Sequence, residues 1–123
     1  MAARWTALVR GRDFQVEDGV ISVKLGERSH RVGIVDAEDH YVLSAIVARP
    51  RVTRGIDDVA LRAWLRNRAT MLVGFRLDAR DRLVGESIVP KAGLTVEEFQ
   101  LYARTVARES DRFEFELTGE DVE

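Results

Sequence analysis

The chain has 123 residues, 46% of them hydrophobic, with 19 Lys+Arg against 21 Asp+Glu for a net charge of −2. That is one domain's worth of chain and enough apolar material for one core. It has no cysteine, which excludes disulfide scaffolds, thiolate metal sites and cysteine nucleophiles. The longest apolar run, residues 41–48, is too short to span a bilayer. The first residues lack the apolar segment of a secretory signal, so a cytoplasmic, single-domain protein over residues 1–123 is expected.

Residues 5–9 fit a short helix or an extra strand equally well. Phe14–Val16 alternates and stops at Glu17-Asp18-Gly19, where Asp-Gly is a strong hairpin signal because Gly tolerates positive φ. Val20–Leu25 places Ile21, Val23 and Leu25 on one face. His30–Val35 places His30, Val32 and Ile34 together. Tyr41–Ala48, apolar on both faces apart from Ser44, reads as a strand covered on both sides. Arg49–Gly55 reads as a loop around Pro50.

The period then changes. Asp57 or Asp58 can cap a helix over Asp57–Arg68, and Leu61, Trp64 and Leu65 fall on one stripe, expected to be buried against the meander. Met71, Val73, Phe75 and Leu77 share a face of the next strand. Asp78 and Asp81 supply turn chemistry, and Leu83–Val89 returns as far as Pro90. Gly74 and Gly85, inside these strands, are expected to mark close packing or a bulge.

Thr95-Val-Glu-Glu98 is a capping box, and Leu94 and Phe99 occupy the positions of a hydrophobic staple. Phe99, Tyr102, Ala103 and Val106 form the stripe of a long helix. Residues 112–118 alternate like a strand yet also continue the helical stripe towards a C-cap at Gly119; the helix is favoured, with a bend near Ser110-Asp111. The fold class is therefore α+β: an antiparallel sheet of about five strands, with a meander of three or four, a helix, a hairpin and a long C-terminal helix.

Charge is segregated along this order. Residues 49–82 carry a net of +5 and residues 83–123 a net of −6, so the basic middle is expected to face the acidic tail, within the chain or across a dimer.

Little in the sequence spells out a reaction. Asp36, Glu38, Asp39 and His40 place three carboxylates and an imidazole in one turn, a candidate metal or small-molecule site. Their spacing matches no calcium loop, and a solvated turn explains them as well. His30, the other histidine, has no Ser or carboxylate partner at a triad spacing. Glycine-rich phosphate loops and nucleophile elbows are absent. The arginines between Arg49 and Arg82 have only Trp64 and Phe75 among them as stacking groups, and the overall charge opposes phosphate binding. No catalytic, cofactor or metal residue is assigned, and nucleic acid and membrane are not expected as partners.

Leu65-Arg-Asn67, Gly74-Phe-Arg-Leu-Asp78, Ile88-Val-Pro90, Gly93-Leu-Thr95-Val-Glu-Glu-Phe99 and Ala107-Arg-Glu-Ser-Asp111 together resemble the YbjN-type family of candidate bacterial sensory-transduction regulators. That family is similar in fold to the chaperones of type III secretion. By element order the resemblance covers about residues 14–119, although the motifs lie in the second half. It implies a chaperone-like domain, often dimeric, that binds other proteins and performs no chemistry. A non-enzymatic adaptor or chaperone-like regulatory module follows, with Trp64, Met71, Val73 and Phe75 as candidate dimer or partner contacts; the alternative is a binding module built on the acidic turn.

Overall fold

The computed structural model describes residues 5–119. A 3-10 turn, Trp5–Leu8, leads into four strands: β1 (Phe14–Glu17), β2 (Val20–Leu25), β3 (Arg28–Asp36) and β4 (His40–Ala48). Two helices follow, α1 (Pro50–Thr53) and α2 (Val59–Ala69). Then come β5 (Gly74–Leu77), β6 (Leu83–Pro90) and α3 (Val96–Thr118). The six strands form one antiparallel sheet in the order β1-β2-β3-β4-β6-β5. The expected sheet of about five strands gains its sixth because the short β1 pairs fully, from Phe14 opposite Val23 to Glu17 opposite Val20.

The turns behave as their residues require. Asp18 and Gly19 have φ of 50° and 77°, the two left-handed positions of a tight hairpin that matches the strand twist. Asp78 closes the β5–β6 turn by accepting from the amides of Arg80 and Arg82, both at 2.9 Å.

α3 lies across one face of β2, β3, β4 and β6. Ile21, Val23, Val32, Leu43, Val47 and Val89 point to it and are fully buried with Phe99, Val106 and Phe113. Two edge-to-face ring pairs lock the helix to the sheet: Tyr41 with Phe99 at 5.5 Å and Phe75 with Phe113 at 5.0 Å. Gly85 is required there, since a Cβ would lie 2.5 Å from Ser110 Oγ and 2.8 Å from the Phe75 ring. Gly74, at the sheet edge, has open space beside it, so the close-packing expectation holds for only one of the two glycines.

The Thr95 half of the capping box forms, and the Glu98 carboxylate reaches back to the Thr95 hydroxyl. Glu98 N donates to Thr95 Oγ1 at 3.1 Å, and the Thr95 hydroxyl donates to Glu98 Oε1 at 3.0 Å. The tail is helical: α3 runs unbroken through Ser110-Asp111 to a left-handed C-cap at Gly119.

Four expectations are corrected. Pro50–Thr53 is a helical turn, started by the fixed φ of Pro50. Asp58 sits at the N-cap of α2 with a left-handed φ of 57° and makes no side-chain cap bond. β5 starts at Gly74 because Leu72 has a φ of 71°, which breaks the extended run before Val73. The largest correction concerns α2. It packs on β5 instead of the meander, buries only Val59 and Ala63, and leaves Leu61, Trp64 and Leu65 half exposed.

Candidate functional site

α2 is held by its small and polar residues. Val59, Ala63 and Asn67 repeat at i, i+4, and the short side chains let the helix approach β5 closely. Asn67 then bonds both backbone groups of Phe75: Phe75 N donates to Oδ1 at 2.7 Å and Nδ2 donates to the Phe75 carbonyl at 3.0 Å. Arg66 lies over the Phe113 ring at 5.4 Å and pairs with Glu109 and Glu116 on α3. The basic middle of the chain thus does meet the acidic tail, within one molecule.

With that stripe inward, the apolar one faces out. Trp64 is 56% exposed and Met71 82%, joined by Leu61, Leu65 and Leu72. Arg68 stacks on Trp64 at 5.1 Å from the ring centre, screening one ring face without covering the stripe. Of the four candidate contacts, Trp64 and Met71 are accessible. Val73 and Phe75 are not, at 6% and 3% exposure, because their side chains enter the core. Val73 and Phe75 cannot offer side chains to a partner.

A second apolar surface lies on the sheet face opposite α3. Val35 pairs across to Val42, and Val42 to Ile88, making a cross-strand row whose outer members, Val35 and Ile88, are exposed. β4 is therefore covered on one side, not both. Beside this row is a groove of about 300 Å³ lined by Val20, Ile46 and Val84 with Arg31, Arg49 and Arg82.

The acidic turn is engaged internally. Asp36 takes Lys91 Nζ, which also donates to the Ala37 carbonyl at 2.6 Å. Asp39 pairs with His40 Nδ1 at 2.6 Å. The hydrogen bond and charge of His40 hold the Asp39 carboxyl below its ordinary value, and the bond to Asp36 raises the Lys91 ammonium above its own. Several of the arginines between 49 and 82 are likewise paired: Arg54 with Asp81, Arg76 with Glu86 and Arg82 with Asp78.

His30 is 1% exposed and comes close to Asp111 and Glu114 on α3, also buried; one potential ligand atom from each lies within 4.8 Å of the other two. Sequence spacing does not pair residues about 80 positions apart. The available signal was that Asp111 and Glu114 fall on the stripe of α3 that also carries Ser110 and Phe113.

No family model and no curated protein sequence matches the chain. Solved structures do. A chain of the heterodimeric ExoU-SpcU complex from the type III secretion system of Pseudomonas aeruginosa superposes with a TM-score of 0.60 at 13% identity, over 85% of this chain and 87% of that one. YbjN from E. coli, a candidate transcription regulator, superposes with a TM-score of 0.57 at 18% identity, over 86% and 81%. The fold is therefore shared with YbjN and with that chain of the ExoU-SpcU complex. Among the described residues, no helix is long and apolar enough to cross a membrane.

Proposed function

We propose that this protein is a non-enzymatic, protein-binding adaptor or chaperone-like regulatory module that works in the cytoplasm as a homodimer. One observation carries the reading. A helix that had the option of burying Leu61, Trp64 and Leu65 buries Val59 and Ala63 instead, and holds the large apolar groups at the surface beside Met71 and Leu72. Contiguous exposed apolar groups of this kind mark protein interaction sites, and an exposed Trp is a common anchor. The likeness in fold to a chain of the heterodimeric ExoU-SpcU secretion-system complex and to YbjN supports the same class of role.

The geometry favours helix-face docking over strand addition at this edge. Asn67 already occupies the hydrogen-bonding groups of Phe75 that an incoming strand would need. The acidic turn is the weaker reading, since Asp36 and Asp39 are already bound to Lys91 and His40.

Sedimentation at tens of micromolar tests the proposal with the parent chain and a Trp64→Glu/Met71→Glu variant. The parent is expected to be dimeric and the variant monomeric with an unchanged circular dichroism spectrum, both side chains being exposed. A monomeric parent removes the homodimer. If parent and variant then also capture the same proteins from nuclease-treated lysate, the α2 stripe is not the binding surface.

A further inference from the structure

We propose that His30, Asp111 and Glu114 form a buried binding site for a divalent transition-metal ion, with zinc the ion that best suits the donors. His30 projects from β3; Asp111 and Glu114, one turn apart on α3, project towards it. All three are at least nine-tenths buried.

The histidine defines the site. Its Nε2 lies 2.8 Å from the Ile46 carbonyl oxygen. A carbonyl only accepts, so Nε2 carries a proton, and in the tautomer that this bond selects the lone pair lies at Nδ1. Nδ1 has no hydrogen-bond partner and faces Asp111 Oδ1 at 3.9 Å. A buried ring nitrogen left without a partner costs free energy, and a cation bound at its lone pair removes that cost. A ring nitrogen held by a backbone carbonyl, with the other directed at carboxylates, is how proteins orient a metal-binding imidazole. Asp111 has the matching arrangement: Oδ2 accepts from Arg28 Nη2 at 2.7 Å, and Oδ1 is the oxygen on the ring side.

One imidazole and two carboxylates suit zinc better than magnesium or calcium, which prefer oxygen donors alone. Donors sit about 2.0–2.2 Å from zinc and hence about 3.3 Å from each other, so the donors need to draw together by about 0.5–1.5 Å. Rotation of the Asp111 and Glu114 side chains is the movement that the proposal requires. The Arg28 charge opposes the ion, but that guanidinium is 45% exposed and screened by water.

The test uses the full chain, free of any tag and stripped of metal, with zinc chloride alone as the probe. Calorimetry is expected to show one equivalent bound. At free zinc about a hundredfold above Kd, the melting temperature should rise by about 8 °C. Long-range proton–nitrogen NMR resolves the two histidines, and the Nδ1 resonance of His30 should move while those of His40 stay. Glu114→Gln, nearly isosteric, should weaken binding by at least about 100-fold. No heat and no change in melting temperature overturn the proposal, the cation beside Nδ1 then being a proton. Movement of His40 alone places the ion at the acidic turn and also overturns it, as does undiminished affinity in Glu114→Gln. If that variant fails to fold, the histidine spectra of the parent decide.

Discussion

Gly85 and Asp78 show how much of this fold rests on single positions. Gly85→Ala puts a methyl group against Ser110 and the Phe75 ring. In a packed interior that costs about 1–3 kcal/mol, so urea unfolding should show a loss of that size with an unchanged slope. Asp78 carries a pH signature. Its partial burial works to raise the carboxyl pKa, but the Arg82 amide, the Arg82 guanidinium and the Arg80 amide outweigh this and hold it below its ordinary 3.8. A folded-state pKa below the unfolded one contributes stability above about pH 3.8 that is lost as pH falls through the folded value. Asp78→Asn should therefore cost about 1–2 kcal/mol near neutrality, and the gap between variant and parent should narrow in unfolding curves at pH 3. No narrowing would mean that Asp78 acts only through geometry.

At the scale of elements, the informative case is the pair of long helices. α3 was readable because its signals agree: a capping box, a staple and a wide apolar stripe all point one way. Thr95→Ala should cost about 1 kcal/mol, read as a drop in melting temperature that a Thr95→Ser variant largely restores. α2 was readable as a helix but not in orientation. Periodicity finds the stripe of Leu61, Trp64 and Leu65; it does not say whether the stripe faces the core. The residues that hold α2 down, Val59, Ala63, Arg66 and Asn67, look like a polar face in sequence, and their partners Phe75 and Phe113 lie up to about 50 positions away. Asn67→Ala should expose the β5 edge, cost about 1–2 kcal/mol, and raise aggregation on heating, because an edge strand with open amides templates pairing.

For the molecule as a whole, the same inversion explains why the fold was legible and the site was not. A sheet of about five strands and the long C-terminal helix follow from alternation, turn residues and caps, which are local; the sixth strand and the pairing of β4 with β6 do not. The exposed stripe and the His30–Asp111–Glu114 cluster depend on which distant faces meet. The four candidate contacts show the division: Met71 and Trp64 stay at the surface, while Val73 and Phe75, a few residues on, turn into the core. An association built on Leu61, Trp64, Leu65 and Met71 is apolar, so sedimentation at 50 and 500 mM salt should give the same dimer or a tighter one. Binding carried by the arginines would instead weaken steeply with salt.

One helix, α3, covers the inner face of β2, β3, β4 and β6, and it follows every strand in the chain. On the ribosome, β1 to β4 emerge first and present Ile21, Val23, Val32 and Leu43 to solvent with nothing to lie on them. β4 must also wait for β6, whose Val89 pairs with Tyr41 across 48 positions. Sheet and cover therefore close together, late, once Phe99 and Phe113 have both left the exit tunnel. Until then the nascent chain is a sticky, open-faced meander, and its yield in a cell is set by how quickly its last helix arrives.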